Sequence, residues 1–352
     1  MRRLRRLLAA GALLALAACS TTPPPLERPS VVRPAPAPPP PARLQSAASW
    51  AELAGWPQED HLAALTAVRT VCRLRPQRYP GACRALTSER PASDSDARRF
   101  VERWFRLEAE PAEGLLTAYY TPIYPARRAA GEPFTAPVRA PPADPILAAE
   151  DRAAIDAAPP ESALAWMKPE DLLFLQVQGS GVLEFEDGAR VKAVYAASNG
   201  KPFVPVGRVM REQGILDDRR TSAQAISDWL AAHRGPEAEG LMAQNPRYVF
   251  FKLLPDDAST PEGAAGVALP PGRAVASDPT FNPMGELLWI DASDPRLSGA
   301  RSSYRRLVAA LDVGSAIKGP ARADLYAGRG SAAGQEAGLV RHRLRLYRLA
   351  SR

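Results

Sequence analysis

Residues 312–330 read DVGSAIKGPARADLYAGRG. Asp312 and Asp324 stand in this segment together with Lys318 and Arg322, among four glycines. Such glycine density indicates tight backbone turns and room for a ligand to approach closely. A carboxyl group held on that framework can act as a general acid. An aspartate that only caps a turn would satisfy the same spacing, so the residues alone leave both interpretations open.

Residues 114–122, GLLTAYYTP, form a second segment with polar groups on a regular framework. If the segment is a strand, Thr117, Tyr119 and Thr121 share one face, because alternate side chains of a strand point to the same side. Hydroxyl groups beside aromatic rings suit a sugar, which needs hydrogen bonds at its rim and apolar contact on its faces. A purely structural role would suit the segment equally well.

Residues 173–181, LFLQVQGSG, form the third such segment. Leu173, Leu175 and Val177 alternate with other residues, which favours a strand with Gln176 and Gln178 on one face. The glycines that follow would admit a ligand close to the backbone. This segment too can be read as structural.

The pattern elsewhere predicts a few helices in a chain that is mainly β. Helices are expected over 57–74, over 94–107 with Ser93 as the cap, and over 222–234 with a capping box of Thr221 and Gln224. Asp187-Gly188 between alternating runs predicts a hairpin. Further strands are expected over 115–121, 247–254, 273–278, 286–291 and 340–349. Short strands separated by glycine and proline turns favour barrels over a doubly wound sheet.

The N-terminus is typical of an exported lipoprotein. Four arginines within the first six residues precede an unbroken run of Leu, Ala and Gly over 7–18, which is too short to span a bilayer. The run ends in Leu16-Ala17-Ala18-Cys19, so residues 1–18 are predicted to be a signal peptide and Cys19 the lipidated residue. An ordinary signal peptide with a chance cysteine is the alternative. Ser20 is not the aspartate that retains lipoproteins at the inner membrane, which indicates the outer membrane.

Residues 19–44 are predicted to form a proline-rich tether. Ten of the 37 prolines lie between residues 23 and 41, and such composition favours extended polyproline conformation and cannot build a core. The tether would hold a folded domain away from the membrane.

Composition limits the remaining classes of function. Without the four signal arginines the chain carries 41 basic and 38 acidic residues, which is too balanced to indicate nucleic-acid binding. His61, His233 and His342 are scattered without ligand spacing, so no metal and no cofactor are expected.

Cys72 and Cys83 are the two cysteines outside the signal region. An exported protein meets an oxidising compartment, and the turn-like Tyr79-Pro80-Gly81 lies between the two. A disulfide is therefore predicted; two buried free thiols are the alternative.

Taken together, the segments resemble the membrane-bound lytic murein transglycosylase A family. The resemblance extends from about residue 115 to 338, and its specificity lies in the number and order of the matching pieces: 117–122, 174–181, 199–202, 245–251, 276–279, 283–285, 312–330 and 334–338. The family implies a double-psi β-barrel interrupted by a second, smaller β-barrel-like domain. The boundaries implied here are 45–121 with 252–352 for the barrel and 122–251 for the insert.

The resemblance assigns roles to the three aspartates: Asp312 as the catalytic acid, with Asp324 and Asp278 in support. The family has threonine and glycine where this chain has Val313 and Ser315, which puts the fine geometry of the site in question. Candidates for glycan contact, from the resemblance and the polar segments together, are Thr117, Tyr119, Tyr120, Gln176, Gln178, Ser180, Asn199, Gly314, Ser315 and Lys318.

The implied reaction is cleavage of the bond between N-acetylmuramic acid and N-acetylglucosamine in peptidoglycan. One carboxyl group would donate a proton to the linking oxygen and then accept one from the muramic 6-hydroxyl, closing a 1,6-anhydro ring. This requires the acid to start protonated. Ordinary glycosidases, in contrast, need two carboxyl groups. The alternative functions are a hydrolysing muramidase, a non-catalytic wall-binding barrel and a structural tether. Glycan strands and the membrane are the expected partners, at the periplasmic face of the outer membrane.

Overall fold

The computed structural model describes residues 45–46, 49–110, 112–160, 163–217 and 221–352. The predicted signal peptide, Cys19 and the whole predicted tether lie outside these residues. None of the helices in the described part of the chain is long and apolar enough to cross a membrane.

The strands fall into three sheets. They are β1 (Gln45–Ser46), β2 (Phe105–Ala109), β3 (Gly114–Thr121), β4 (Ile123–Pro125), β5 (Ala136–Arg139), β6 (Ala163–Met167), β7 (Ser180–Glu184), β8 (Arg190–Ser198), β9 (Val249–Pro255), β10 (Ala274–Ser277), β11 (Leu287–Pro295), β12 (Ser303–Asp312), β13 (Arg322–Arg329) and β14 (Arg341–Ser351).

The helices lie before, between and after these strands. They are α1 (His61–Leu74), α2 (Pro80–Glu89), α3 (Asp94–Trp104), α4 (Pro145–Ala149), α5 (Arg152–Ala157), α6 (Pro169–Gln178), α7 (Val206–Glu212), α8 (Ala223–Ala232), α9 (Pro236–Ala243) and α10 (Gly330–Leu339). Short 3-10 turns occupy Trp50–Glu52, Trp56–Gln58 and Pro76–Arg78.

Six strands close into a barrel, in the order β14-β11-β12-β10-β13-β3 and back to β14. The pairs β10–β12 and β13–β3 are parallel, and the other pairs of the ring are antiparallel. Strand β2 adds to β14 outside the ring, and β1 adds to β2. Closure satisfies the backbone hydrogen bonds around the ring, which gives a rigid framework for side chains. The predicted mainly β chain with a barrel is confirmed.

Two apolar cores stabilise the barrel, one on each side of its wall. Alternate residues of β11 face opposite sides: Leu288 and Ile290 join the interior cluster to which all six strands contribute, while Trp289 joins an outer cluster with α1 and α3. Every residue from Leu287 to Ala292 is buried, which is why this strand is apolar without alternation.

Residues 123–255 build the other two sheets and six of the helices. The order of the larger sheet is β4-β7-β8-β9, and β5 pairs with β6. Among the described residues the larger sheet has β4 and β9 as its edge strands. The predicted hairpin is present as β7–β8 with Gly188 at φ +78°.

The expected helices exist with shifted ends. Helix α1 begins at His61, because the side chain of Asp60 accepts a hydrogen bond from the Ala63 amide. Helix α3 has the predicted cap at Ser93 but ends at Trp104, where the chain continues as β2. Helix α8 is capped by Ser222 rather than by Thr221.

The strand predicted over 173–178 is wrong, because these residues lie in α6. Pro169 occupies the first turn, Glu170 and Asp171 place negative charge at the helix start, and Gly179 ends the helix at φ +79°. These are ordinary start and stop signals of a helix, and they outweigh the short apolar alternation.

Cys72 in α1 and Cys83 in α2 are joined by a disulfide, with 5.2 Å between their Cα atoms. The bond closes the α1–α2 connection on the outer side of the barrel wall, where both cysteines pack against the outer core.

Candidate active site

One face of β3 presents hydroxyl groups to the neighbouring strands. Thr117 Oγ1 donates a hydrogen bond to Oδ1 of Asp324. Two residues further along, the hydroxyl of Tyr119 donates to Oδ2 of Asp312 over 2.7 Å. Thr121, the third residue of this face, is buried. Strand β3 therefore holds both aspartates of segment 312–330.

Asp312 is the last residue of β12 and receives hydrogen bonds from three protein groups. Its Oδ1 accepts from the backbone amides of Ala264 and Val313, each at 2.9 Å, and its Oδ2 accepts from Tyr119. Burial, with the charge of Asp312 and the hydrogen bond to it, raises the pKa of Tyr119 well above 10. Tyr119 therefore stays a neutral phenol, able to donate.

Asp324 lies within β13 and has different surroundings. Burial raises the pKa of Asp324 above its usual value; the hydrogen bond from Thr117 and the charge of Arg322 oppose this rise, and the charge of Asp312 adds to it. Arg322 Nη2 donates to Thr117 Oγ1 over 2.8 Å. Because that bond uses the threonine oxygen as acceptor, the threonine hydrogen points to Asp324.

Ala276 in β10 lies between the two aspartates. It pairs with Asp312 on β12 and with Asp324 on β13. The β10–β12 register shifts between Val275 and Ala276, so the shared face of the two aspartates follows from β3, where Tyr119 and Thr117 lie on one face and bond Asp312 and Asp324 respectively. The two carboxyl groups thus stand at one level of the barrel wall, two strands apart, with Thr117 and Tyr119 beside them.

A cleft of about 200 Å³ lies between the barrel and the inserted region. The barrel contributes residues 314–317 together with Arg322 and Asp324, and the insert contributes the opposite wall. The lining residues of the insert are Arg152, Gln176, Val177, Phe203, Asn245, Arg247 and Val249. The cleft therefore offers apolar surface and polar groups together, as a sugar-binding site does.

Asp324 lines this cleft, whereas Asp312 is not among its lining residues. Gly314 and Ser315, both predicted to contact glycan, do line it. A Cβ atom at Gly314 would lie 2.6 Å from Cγ1 of Ile317, so the loop is packed tightly at this point. The assignment of Asp312 as the acid stays a prediction from the sequence, and Asp324 is the aspartate that lines this cleft.

The two glutamines of α6 have structural hydrogen bonds. Gln176 is 6 % exposed, lines the cleft, and donates from Nε2 to the carbonyl of Val249 at 3.3 Å. Gln178 Oε1 accepts from the amide of Tyr120 at 3.2 Å and so ties α6 to β3. The ring of Tyr120 packs against Gly334 of α10.

Asn199 is used inside the insert. Its side-chain nitrogen donates to the carbonyls of Glu150 and Pro246, each at 2.8 Å, and its oxygen accepts from the amide of Tyr248 at 2.9 Å. These bonds hold the insert together at this point, and the glycan contact of Asn199 stays a prediction. Ser180 lies at the start of β7 and is not a lining residue of the cleft.

Asp278, the third aspartate, organises a turn. Its Oδ2 accepts from the amide of Gly319 at 3.0 Å and its Oδ1 from the amide of Thr280 at 3.1 Å. Burial opposes the change, but these hydrogen bonds lower the pKa of Asp278. Lys318, next to this turn, is exposed and also outside the cleft lining.

Several cleft residues are absent from the sequence-based candidates. Arg322 stands two residues before Asp324 and donates a hydrogen bond to Thr117. Its place in the sequence, close to an aspartate, is the signal that could have identified it as a site residue. Phe203 and Arg247 reach the cleft from the insert. Phe203 directly follows the matching segment 199–202, and Arg247 lies within the matching segment 245–251. Their contribution depends on long-range packing.

No group of histidine, cysteine, aspartate and glutamate side chains in the described residues has the arrangement of a metal site.

Two family models match the chain. The MltA specific insert domain matches residues 145–252, and the 3D domain matches residues 273–350. These matches correspond to the inserted region and to the C-terminal part of the barrel.

Curated relatives and solved structures agree with these matches. Membrane-bound lytic murein transglycosylase A of Escherichia coli K12 is 34 % identical over 257 residues, 70 % of each chain. The protein of that name from Vibrio cholerae is 36 % identical over 184 residues, 51 % of this chain and 49 % of the relative, so the chain spans about half the length of that relative.

A membrane-bound lytic murein transglycosylase from Agrobacterium tumefaciens superposes with a TM-score of 0.76 at 29 % identity, covering 86 % of this chain and 96 % of that one. E. coli MltA with bound chitohexaose superposes with a TM-score of 0.67 at 27 % identity, covering 82 % and 90 %. With the closed barrel, the insert and the cleft between them, these findings place the chain in the membrane-bound lytic murein transglycosylase A family.

Proposed function

We propose that this protein is a peptidoglycan lytic transglycosylase. It cleaves the β-1,4 bond between N-acetylmuramic acid and N-acetylglucosamine and leaves 1,6-anhydromuramic acid ends. The observation that carries the proposal is a half-buried carboxyl group, Asp324, in a cleft between the barrel and the insert of a family whose E. coli member binds chitohexaose.

The proton donor in this proposal is Asp324. Burial raises its pKa, which favours the protonated form that a general acid needs. Thr117 donates to its Oδ1, so the acid proton belongs on Oδ2. Arg322 keeps Thr117 in that donating orientation.

The reaction needs one carboxyl group used twice. Asp324 gives its proton to the linking oxygen, the bond from that oxygen to the anomeric carbon breaks, and positive charge develops on the sugar. The Asp324 carboxylate then takes the proton of the muramic 6-hydroxyl, whose oxygen bonds to the anomeric carbon. Asp324 is protonated again and no water is consumed. The held 6-hydroxyl competes with solvent through its high effective molarity.

Glycan contact is proposed for the residues that line the cleft. Gly314, Ser315 and Gln176 remain candidates on that ground. Phe203 and Val177 add apolar surface for the face of a sugar ring.

Membrane attachment is proposed through acylated Cys19, at the periplasmic face of the outer membrane. Support comes from the signal sequence and from relatives described as membrane-bound. Fully extended, the proline-rich stretch 23–41 of the tether, about 20 residues, would reach roughly 60 Å. Cys19→Ala should abolish membrane partitioning or block processing; a variant that partitions and is processed normally would refute the anchor.

Mass analysis of products tests the reaction. Purified sacculi are digested with the wild-type protein, with Asp324→Asn as the matched control, and the fragments are treated with borohydride and weighed. Anhydro ends weigh one water less than hydrolytic ends and take up no hydride. Reducible ends that carry the extra water would identify a hydrolysing muramidase, and binding without release would identify a wall-binding barrel.

A further inference from the structure

The pairing of Asp312 and Asp324 across Ala276 places a second carboxyl group beside the proposed proton donor. Strands in a sheet lie about 4.8 Å apart, so two residues that are two strands apart and at one level have Cα atoms roughly 10 Å apart. Tyr119 and Thr117 share one face of β3 and donate to Asp312 and Asp324 respectively, so both carboxyl groups reach that face. The two carboxyl groups are therefore electrostatic neighbours.

The contacts of Asp312 suit an ionised carboxylate. Two backbone amides and a phenol donate to its oxygens, and a carboxylate without a proton only accepts. A backbone amide cannot reverse its role, and Tyr119 remains neutral. Both Oδ1 bonds are thus fixed as donations to Asp312.

We propose that Asp312 is a positioning residue whose fixed negative charge keeps the neighbouring Asp324 in its protonated, proton-donating form. The inference rests on the proposed function, in which Asp324 is the acid. It assigns Asp312 to the same reaction without contact between Asp312 and the reacting atoms. A like charge nearby disfavours ionisation of a carboxyl group.

Other groups around Asp324 set the background for this effect. On its own strand Arg322 favours the ionised form, and on β3 Thr117 does so by its hydrogen bond, while the neutral Tyr119 carries no charge. Across the cleft the insert places Arg152 and Arg247 among the lining residues. Arg322 is thus the cation that favours ionisation of the acid, and the Asp312 carboxylate opposes its effect.

The pH profile of activity separates this role from the others. Asp312→Asn removes the charge and retains the shape, so the protonated fraction of Asp324 at neutral pH falls. The alkaline limb of the kcat/KM profile should move to lower pH. Activity should stay close to wild type at the acid end and fall about threefold or more at neutral pH. Asp312→Glu, which retains the charge, should restore the wild-type limb.

The measurement is release of soluble muropeptides from sacculi between about pH 4 and 8, a range that spans the carboxyl titration, for wild type, Asp312→Asn, Asp312→Glu and Asp324→Asn. An unchanged limb in Asp312→Asn would overturn the inference, and so would a loss of activity that is uniform across pH. If Asp312→Asn does not fold, Asp312→Ser, whose hydroxyl can accept from the two amides, repeats the test.

Failure of the proposed acid is recognised separately. Activity in Asp324→Asn would refute the proton donor, whatever Asp312→Asn does. If Asp324→Asn is inactive and the alkaline limb of the kcat/KM profile of Asp312→Asn stays at the wild-type pH, the role of Asp312 is refuted and the role of Asp324 as proton donor is not.

Discussion

Asp312 and Asp324 lie on different strands of the barrel and have different surroundings. Asp312 ends β12 and receives hydrogen bonds from Ala264, Val313 and Tyr119. Asp324 lies within β13 and receives a hydrogen bond from Thr117. Asp324 lines the cleft and Asp312 does not. In the proposed mechanism these two aspartates therefore differ: the oxygens of Asp312 are occupied by hydrogen-bond donors, whereas burial raises the pKa of Asp324. Surroundings, rather than residue type, separate the two roles.

The largest effect is expected from Asp324→Asn, which retains the shape of the side chain but cannot donate a carboxyl proton. Loss of a general acid costs about 10²–10⁴ in rate. The variant should fold and bind sacculi as the wild type does, while muropeptide release falls by that factor. Release within a few-fold of wild type would mean that the acid lies elsewhere.

Removing the disulfide tests whether the stability of the outer core is independent of the chemistry in the cleft. Cys72 and Cys83 close a loop of sequence separation 11, and such a constraint contributes about 2–3 kcal/mol. The double variant Cys72→Ser with Cys83→Ser should lose about that much free energy of unfolding in urea and retain the wild-type pH profile. A shifted profile would couple the two regions and contradict their independence.

Thr117→Val tests the opposite direction of tuning from Asp312→Asn. The valine removes the hydrogen bond that lowers the pKa of Asp324, so the alkaline limb should move to higher pH. Activity at the optimum should fall about tenfold, the value of a lost hydrogen bond to a reacting group. Movement of the limb to lower pH would contradict the assignment of Thr117 as donor.

The smallest effect concerns Asp171 in α6, outside the cleft. Burial raises its pKa from 3.8 to about 6, against the charge of Lys168. Because the pKa of Asp171 is higher in the folded protein than in the unfolded chain, its contribution to stability is complete below the unfolded-chain pKa and is lost as pH rises through about 6. Asp171→Asn should therefore increase the free energy of unfolding by about 1–2 kcal/mol at pH 7.5, after allowance for solvent screening, and change little near pH 4. Equal differences at the two pH values would count against this origin.

Local signals in the sequence were sufficient for much of the barrel. The Asp187-Gly188 hairpin, strand β3 and the Ser93 cap follow from turn chemistry and alternation. Strands β12 and β13 and helix α10 were not predicted, although Leu307–Leu311 is an apolar run, because a strand buried on both faces lacks alternation. Residues 173–178 of helix α6 were predicted as a strand because their apolar side chains alternate over six residues. The helix start signal at Pro169 and the stop signal at Gly179 are the stronger indicators.

The site was predictable as a set of residues but not as a set of roles. Thr117, Tyr119, Asp312 and Asp324 are all among the sequence-based candidates. Which aspartate is the acid depends on burial, on the strand order that places Ala276 between them, and on the insert that forms the other wall of the cleft. These are long-range properties that residue spacing does not contain.

The most direct test of the account is muropeptide release by wild type, Asp312→Asn and Asp324→Asn, compared at the acid end of the wild-type activity range. There Asp324 is protonated whether or not Asp312 is charged. The account predicts that Asp312→Asn then works within about threefold of wild type while Asp324→Asn releases almost nothing. An inactive Asp312→Asn beside an active Asp324→Asn would contradict it and return the acid role to Asp312.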